Sequence, residues 1–153
     1  MTALIKADDV EILLVEDNAA DVELTLHAFQ KFNLSNKLHV VRDGAEALDF
    51  IFCRGEYEGR KLENGPKVVL LDIKLPKVDG IEVLRQVKAD ERTRKIPVVM
   101  LTSSAEESDI VNGYHYGANS YIVKPVGFQQ LTEAVREIGM YWLILNTPPV
   151  ELA

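Results

Sequence analysis

A chain of 153 residues has room for one domain of ordinary size, and 47% apolar residues suffice for a proper core, which excludes a disordered tail or linker. A formal charge of −7 argues against direct nucleic-acid binding, which needs a basic face. No apolar run is long enough to cross a bilayer, the opening MTALIKADDV lacks a signal peptide's apolar core, and the lone Cys53 excludes an internal disulfide framework. The expectation is a soluble, cytoplasmic single domain with Cys53 packed on one side of a helix.

Taken in chain order, short apolar runs alternate with helical patterns. EILLV (11–15) leads into DVELTLHAFQKF, where Val22, Leu26 and Phe29 share a helical face. LHVV (38–41) precedes DGAEALDFIF, and the polar stretch RGEYEGRKLENGP (54–66) reads as a long surface loop. KVVLL (67–71) leads into GIEVLRQVKAD, with Ile81, Leu84 and Val87 on one face. PVVML (97–101) precedes the less regular ESDIVNGYHYG, and SYIV (120–123) precedes a long helix from about Phe128 to Leu145. Five such alternations predict a parallel sheet with helices on both faces, an α/β fold.

The strand ends carry the chemical signal. The first run is followed by Glu16 and Asp17, the third by Asp72, the fourth by Thr102 and the fifth by Lys124. In a parallel sheet these positions lie at one edge, where open α/β sheets bind ligands. Taken singly, an Asp after a strand is most often a turn residue or a helix cap, and a lysine there is most often a solvated charge. Caps alone do not require three acids, a hydroxyl and an ammonium in complementary sets. The three carboxylates carry −3 if ionised; Lys124 offsets one charge, and a divalent cation would offset the other two. Hard oxygen donors in a shallow site favour Mg²⁺. A carboxylate can then act as nucleophile on a phosphoryl group, which makes this a candidate phosphoaspartate site.

These motifs (LLVEDN, LLDIKLPKVDG, VVMLTSS and SYIVKPV, with RDGAEALDFI between) closely resemble the receiver domains of two-component response regulators. Thirty residues separate Asp72 from Thr102 and 22 separate Thr102 from Lys124, as in that family. The resemblance spans nearly the whole chain and implies one domain over 1–153, with a core of about 10–145 and a short tail, 146–153. It implies a doubly wound, five-stranded, flavodoxin-like (β/α)5 sheet of order 2-1-3-4-5. It further implies that Asp72 accepts phosphate from a phosphohistidine on a histidine kinase, the protein being a phosphoacceptor rather than an enzyme proper. Mg²⁺ would be held by Asp17, Asp72 and the backbone carbonyl of Lys74, with Glu16 acting through a water. Thr102 and Lys124 would bind the phosphoryl oxygens, helped by amides near Ser103 and Lys74. Tyr121 matches the switch aromatic, and small Ser103 leaves the phosphate accessible. A cis peptide before Pro125 is also implied. Two departures stand out: the 54–66 loop is longer than in minimal receivers, and Lys74 replaces the usual small or amide residue, which bears on the rate of phosphate loss. CRGEYEGRK and MYWLILNTPP resemble the single-domain regulators paired with cyanobacterial phytochromes, which implies a light-regulated kinase.

NTPPVELA cannot form a DNA-binding domain, so output is expected through protein contacts on the face of the fourth helix, fifth strand and fifth helix. Along the last helix, Leu131, Val135, Ile138, Trp142 and Leu145 can face the core, while Met140, Tyr141 and Ile144 would be exposed as candidates for a homodimer interface. Rival readings fare worse. A dehalogenase-type phosphatase resembles DxD, but Lys74 stands where its acid would be. A dinucleotide module needs a glycine-rich first turn, and VEDNAAD is acidic instead. A phosphorylation-independent scaffold or adaptor is the alternative, yet no acceptor, lysine or acidic pair is missing. No role is assigned to His27, His39 or His115, whose spacing suits no metal.

Overall fold

The computed structural model describes residues 10–34, 37–124 and 127–147, without the side chains of Phe128 and Ile144. Five parallel strands form one sheet: β1 (Ile12–Val15), β2 (Leu38–Val41), β3 (Val68–Leu71), β4 (Val98–Thr102) and β5 (Ser120–Val123). Their order is β2-β1-β3-β4-β5, as the family resemblance implied. The three inner strands are buried along their whole length, whereas β2 and β5, with a neighbour on one side only, are half-exposed. Thr102 belongs to β4, one residue beyond the expected end.

Side chains alternate across the sheet and feed two separate cores. Ile12, Leu14, Val68, Leu70, Val99 and Leu101 pack under α1 (Ala19–Lys31) and α5 (Phe128–Gly139), against Phe29, Leu131 and Val135. Leu13, Val15, Val69, Leu71, Val98 and Met100 pack on the other face under α2 (Gly44–Ile51) and α3 (Gly80–Ala89). α4 (Glu107–His115) lies beside α3 and β5. Helix starts are set by side-chain caps: Asn18, Asp43 and Asp79 each accept the backbone N–H three residues on. Asp79 is thus a cap. Among the described residues no helix is long and apolar enough to cross a membrane.

Three expectations change. The final helix is not α-helical to Leu145: α5 ends at Gly139, and Met140–Leu145 winds as a π-helix, with Asn146 N–H donating to the Tyr141 carbonyl five residues back. The wider turn rotates the apolar stripe, so Leu143 joins Trp142 against the α1–α5 core while Leu145 is 66% exposed. Residues 54–66 are not simply a surface loop. Arg60 is 6% exposed, with its guanidinium 3.7 Å above the Phe50 ring and its Nη1 donating to the Phe50 carbonyl. Two short 3₁₀ turns, Gly55–Tyr57 and Leu62–Asn64, bracket it, and the Tyr57 hydroxyl donates to Glu46 at 3.0 Å. That spends the hydroxyl's one proton, so His39 Nε2, 3.0 Å away, is the donor in its own bond to Tyr57. Cys53, finally, is not on a helix face: it leaves α2 at φ +57°, half-buried, with Arg60 Nη1 3.6 Å from its Sγ. The expected cis peptide at Pro125 and the tail beyond Thr147 lie outside the described residues.

Candidate functional site

The carboxyl ends of β1, β3, β4 and β5 converge as the strand-end pattern predicts. Each delivers one group: Glu16 follows β1, Asp72 follows β3, Thr102 ends β4 and Lys124 follows β5. Asp72 is held by the turn after it. The Ile73 N–H donates to Asp72 Oδ1 at 2.7 Å, and the Gly80 N–H donates to the Ile73 carbonyl at 2.7 Å. Gly80 is obligatory there, because a Cβ would stand 1.9 Å from the Asp72 carbonyl oxygen.

Glu16, Asp72 and Thr102 are all buried. The Lys124 ammonium sits among the carboxylates, donating to Glu16, to Asp72 at 3.1 Å and to Asp21 at 2.9 Å. Asp21 was not anticipated. It lies in the first turn of α1, the helix that leaves the carboxyl end of β1, and that placement was the available signal. Asp17 and Lys74 both line an adjoining cleft of about 650 Å³, with Ile73, Leu75, Asp79 and Asp109. A larger cleft of about 800 Å³, against Ser120 and Trp142 at the amino-terminal end of the sheet, carries none of these groups. Cavity size alone does not locate the chemistry.

The electrostatics separate the two buried acids. Burial pushes Glu16 up to about 7, with the Asp72 charge adding to it and Lys124 opposing. Burial acts on Asp72 in the same sense, but the Thr102 hydroxyl and the Lys124 ammonium outweigh it and hold Asp72 below the usual carboxylate range. Burial alone would lower Lys124, but hydrogen bonds to Glu16 and Asp21 and the charges of Asp72 and Glu16 raise it well above an ordinary lysine. Of the two, Asp72 is the more readily ionised, and Glu16 is the acid that more readily keeps a proton.

Among the described residues no three His, Cys, Asp or Glu form a ready metal cluster. The common point of Glu16, Asp21 and Asp72 is taken by an ammonium instead. The donors nonetheless fit a hard divalent cation. Glu16, Asp17, Asp21 and Asp72 against Lys124 leave −3 if all are ionised, an excess that a divalent cation would reduce.

Tyr121 is packed against the core, its ring edge 3.2 Å from where a Cβ on Gly113 would stand. Its hydroxyl donates to the Ser104 carbonyl at 2.8 Å, while the Ser104 N–H donates to Thr102 Oγ1 at 3.3 Å and its hydroxyl to Asp109 at 2.5 Å. Ser104, also unanticipated, thus links Thr102 to Tyr121. Of the expected interface residues, Met140 and Tyr141 are exposed as predicted, and the Ile144 side chain is outside the described set.

Comparison with known proteins gives the family. The sequence model of the response regulator receiver domain matches residues 12–136. The chain is 46% identical over 142 residues to the probable methanogenesis regulatory protein FilR2 of Methanothrix harundinacea, covering 93% of this chain and 89% of that one. It is 38% identical to response regulator Rcp1 of Synechocystis, covering 90% and 92%, and superposes on the crystal structure of the Mn²⁺-bound form of Rcp1 with a TM-score of 0.81. The crystal structure of the phosphorylated cyanobacterial phytochrome response regulator RcpA gives a TM-score of 0.83 at 40% identity, covering 91% of this chain and 97% of that one. With the strand-end groups gathered at one edge of a 2-1-3-4-5 sheet and relatives of this kind over nearly its whole length, the chain belongs to the response regulator receiver domain family.

Proposed function

We propose that this protein is a phosphoacceptor of a two-component relay that takes a phosphoryl group from a histidine kinase onto Asp72 and signals by protein contacts in the cytoplasm. The observation that carries the reading is the Lys124 ammonium on the buried Asp72, beside a Thr102 hydroxyl that helps keep that carboxylate ionised. An Asp72 oxygen attacks phosphorus, the phosphorus–nitrogen bond to the kinase histidine breaks, and the departing imidazole keeps the electron pair. Lys124 and Thr102 then bind phosphoryl oxygens. Asp17, Asp72 and the Lys74 carbonyl, with Glu16 through a water, would hold Mg²⁺, which would supply the remaining positive charge. Thr102 moves toward the phosphoryl group and Tyr121 responds through Ser104, biasing a two-state surface.

Output runs through the α4–β5–α5 face and a homodimer. Support comes from apolar groups left exposed there: Val111 and Tyr114 on α4, Val123 on β5, and Met140 and Tyr141 beyond α5. A phytochrome-type kinase as donor is supported by the likeness to RcpA.

The test is intact mass after incubation with acetyl phosphate, with and without Mg²⁺, on wild type and Asp72→Asn. A phosphate adduct that needs both Mg²⁺ and Asp72 is expected. A wild type that binds Mg²⁺ but gains no adduct would point to a scaffold instead. Transfer from a light-regulated phytochrome-type kinase, with none from a kinase lacking such a sensor, tests the pairing.

A further inference from the structure

An ammonium has three N–H donors, and on Lys124 three carboxylates take them: Glu16, Asp21 and Asp72. Asp21 is the outlier. Its side chain is 36% exposed, against 3% for Glu16 and 10% for Asp72. The helix start does not need its carboxylate, because the cap uses the Asp21 backbone N–H and Thr25 bonds to its backbone carbonyl. Among the described residues its one ion-pair partner is Lys124.

We propose that Asp21 is a positioning residue that holds Lys124 in its resting place and sets how readily the ammonium is handed to a phosphoryl group on Asp72. This rests on Asp72 being the phosphoacceptor. Phosphorylation of Asp72 frees the N–H that this carboxylate held, so any further bond from Lys124 to a phosphoryl oxygen must be taken from Glu16 or Asp21. Releasing Glu16 would strand a buried acid without its counter-charge. Releasing Asp21 costs little, because water replaces the lost contact at a part-exposed oxygen. Asp21 is therefore the partner that gives way, and until it does it competes with the phosphoryl group for the same N–H.

The experiment measures affinity for beryllofluoride, a phosphoryl mimic, by calorimetry in saturating Mg²⁺. Asp21→Asn should bind about threefold more tightly than wild type, the scale of one part-exposed ion pair. Asp21→Glu, which keeps the charge, should stay near wild type. In a Lys124→Gln background the Asp21→Asn gain should vanish. Weaker or unchanged binding by Asp21→Asn overturns the proposal, and so does a gain that persists without Lys124, which would be plain charge repulsion. A second readout needs no mimic: in metal-free protein the Lys124 ammonium protons, followed by NMR, should exchange faster in Asp21→Asn. Unchanged exchange refutes the tether. A wild type that exchanges as expected but never binds beryllofluoride would refute the phosphoacceptor reading, with the tether standing.

Discussion

Tyr121→Phe isolates one bond at the switch. The substitution deletes the hydroxyl that donates to the Ser104 carbonyl at 2.8 Å and keeps the ring that packs beside Gly113. A neutral hydrogen bond of this kind is worth about 1 kcal/mol net, so unfolding free energy in urea should fall by about that amount if both states make the bond. The functional consequence depends on whether the bond is made equally in both states of the loop. A contact shifts a two-state equilibrium only by the difference it makes between the states. If the bond belongs to the phosphorylated state alone, losing about 1 kcal/mol should weaken beryllofluoride binding in Mg²⁺ about fivefold. Urea unfolding and calorimetry on the same two proteins give both numbers. Lower stability with unchanged beryllofluoride affinity would refute the switch role, because Tyr121 would then be a state-independent brace.

Gly80→Ala should cost about 3 kcal/mol or more and lower the yield of phosphate adduct, since the new Cβ meets the Asp72 carbonyl oxygen at 1.9 Å and must displace the acceptor's own backbone; urea unfolding and intact mass check the two halves. Leu143→Ala should cost about 2 kcal/mol in urea unfolding while Leu145→Ala stays within about 0.5, and the reverse order would mean that residues 140–145 are α-helical. Burial lowers Lys88 to about 8, although its ammonium donates to the carbonyls of Arg94 and Ile96 and to Asn119. Between that value and its ordinary 10.5 the unfolded chain holds a proton that the folded chain has released, so stability from this group rises with pH across the window, by about 1–3 kcal/mol after allowing for partial exposure. Lys88→Met should remove that rise, and parallel pH profiles of the two proteins would show that the three acceptors already offset the burial.

How much of this was legible in the sequence follows from how far each feature depends on distant residues. The strands could be read because burial on both faces demands unbroken apolar runs, and the polar group that ends each run marks where the core stops. β2 and β5 show the edge in their exposure, but LHVV and SYIV differ too little from the inner runs to assign it, so the strand order came from the resemblance. The α5 stripe was legible as far as Trp142 and failed at Leu143 and Leu145, because a change of hydrogen-bond register leaves the residue types untouched and moves only their phase. Arg60 hid in a polar stretch, since its guanidinium is buried by stacking on Phe50 rather than by apolar neighbours in sequence.

Asp21 marks the deeper limit. A strand-end pattern finds groups placed by the sheet, whereas Asp21 is placed by the first turn of α1 and meets Lys124 across 103 residues. Counting strand ends gave three acids against one ammonium, and the structure makes it four against one. That fourth charge alters the chemistry as well as the count. With Asp17 facing the cleft and Asp21 on the lysine, the cation is shared between a buried pair it must not leave and an exposed partner it can. If Asp72 takes a phosphoryl group, the exposed Asp21 is the partner that Lys124 can leave, and the acid that the sheet does not place is then the one that sets the timing of the site.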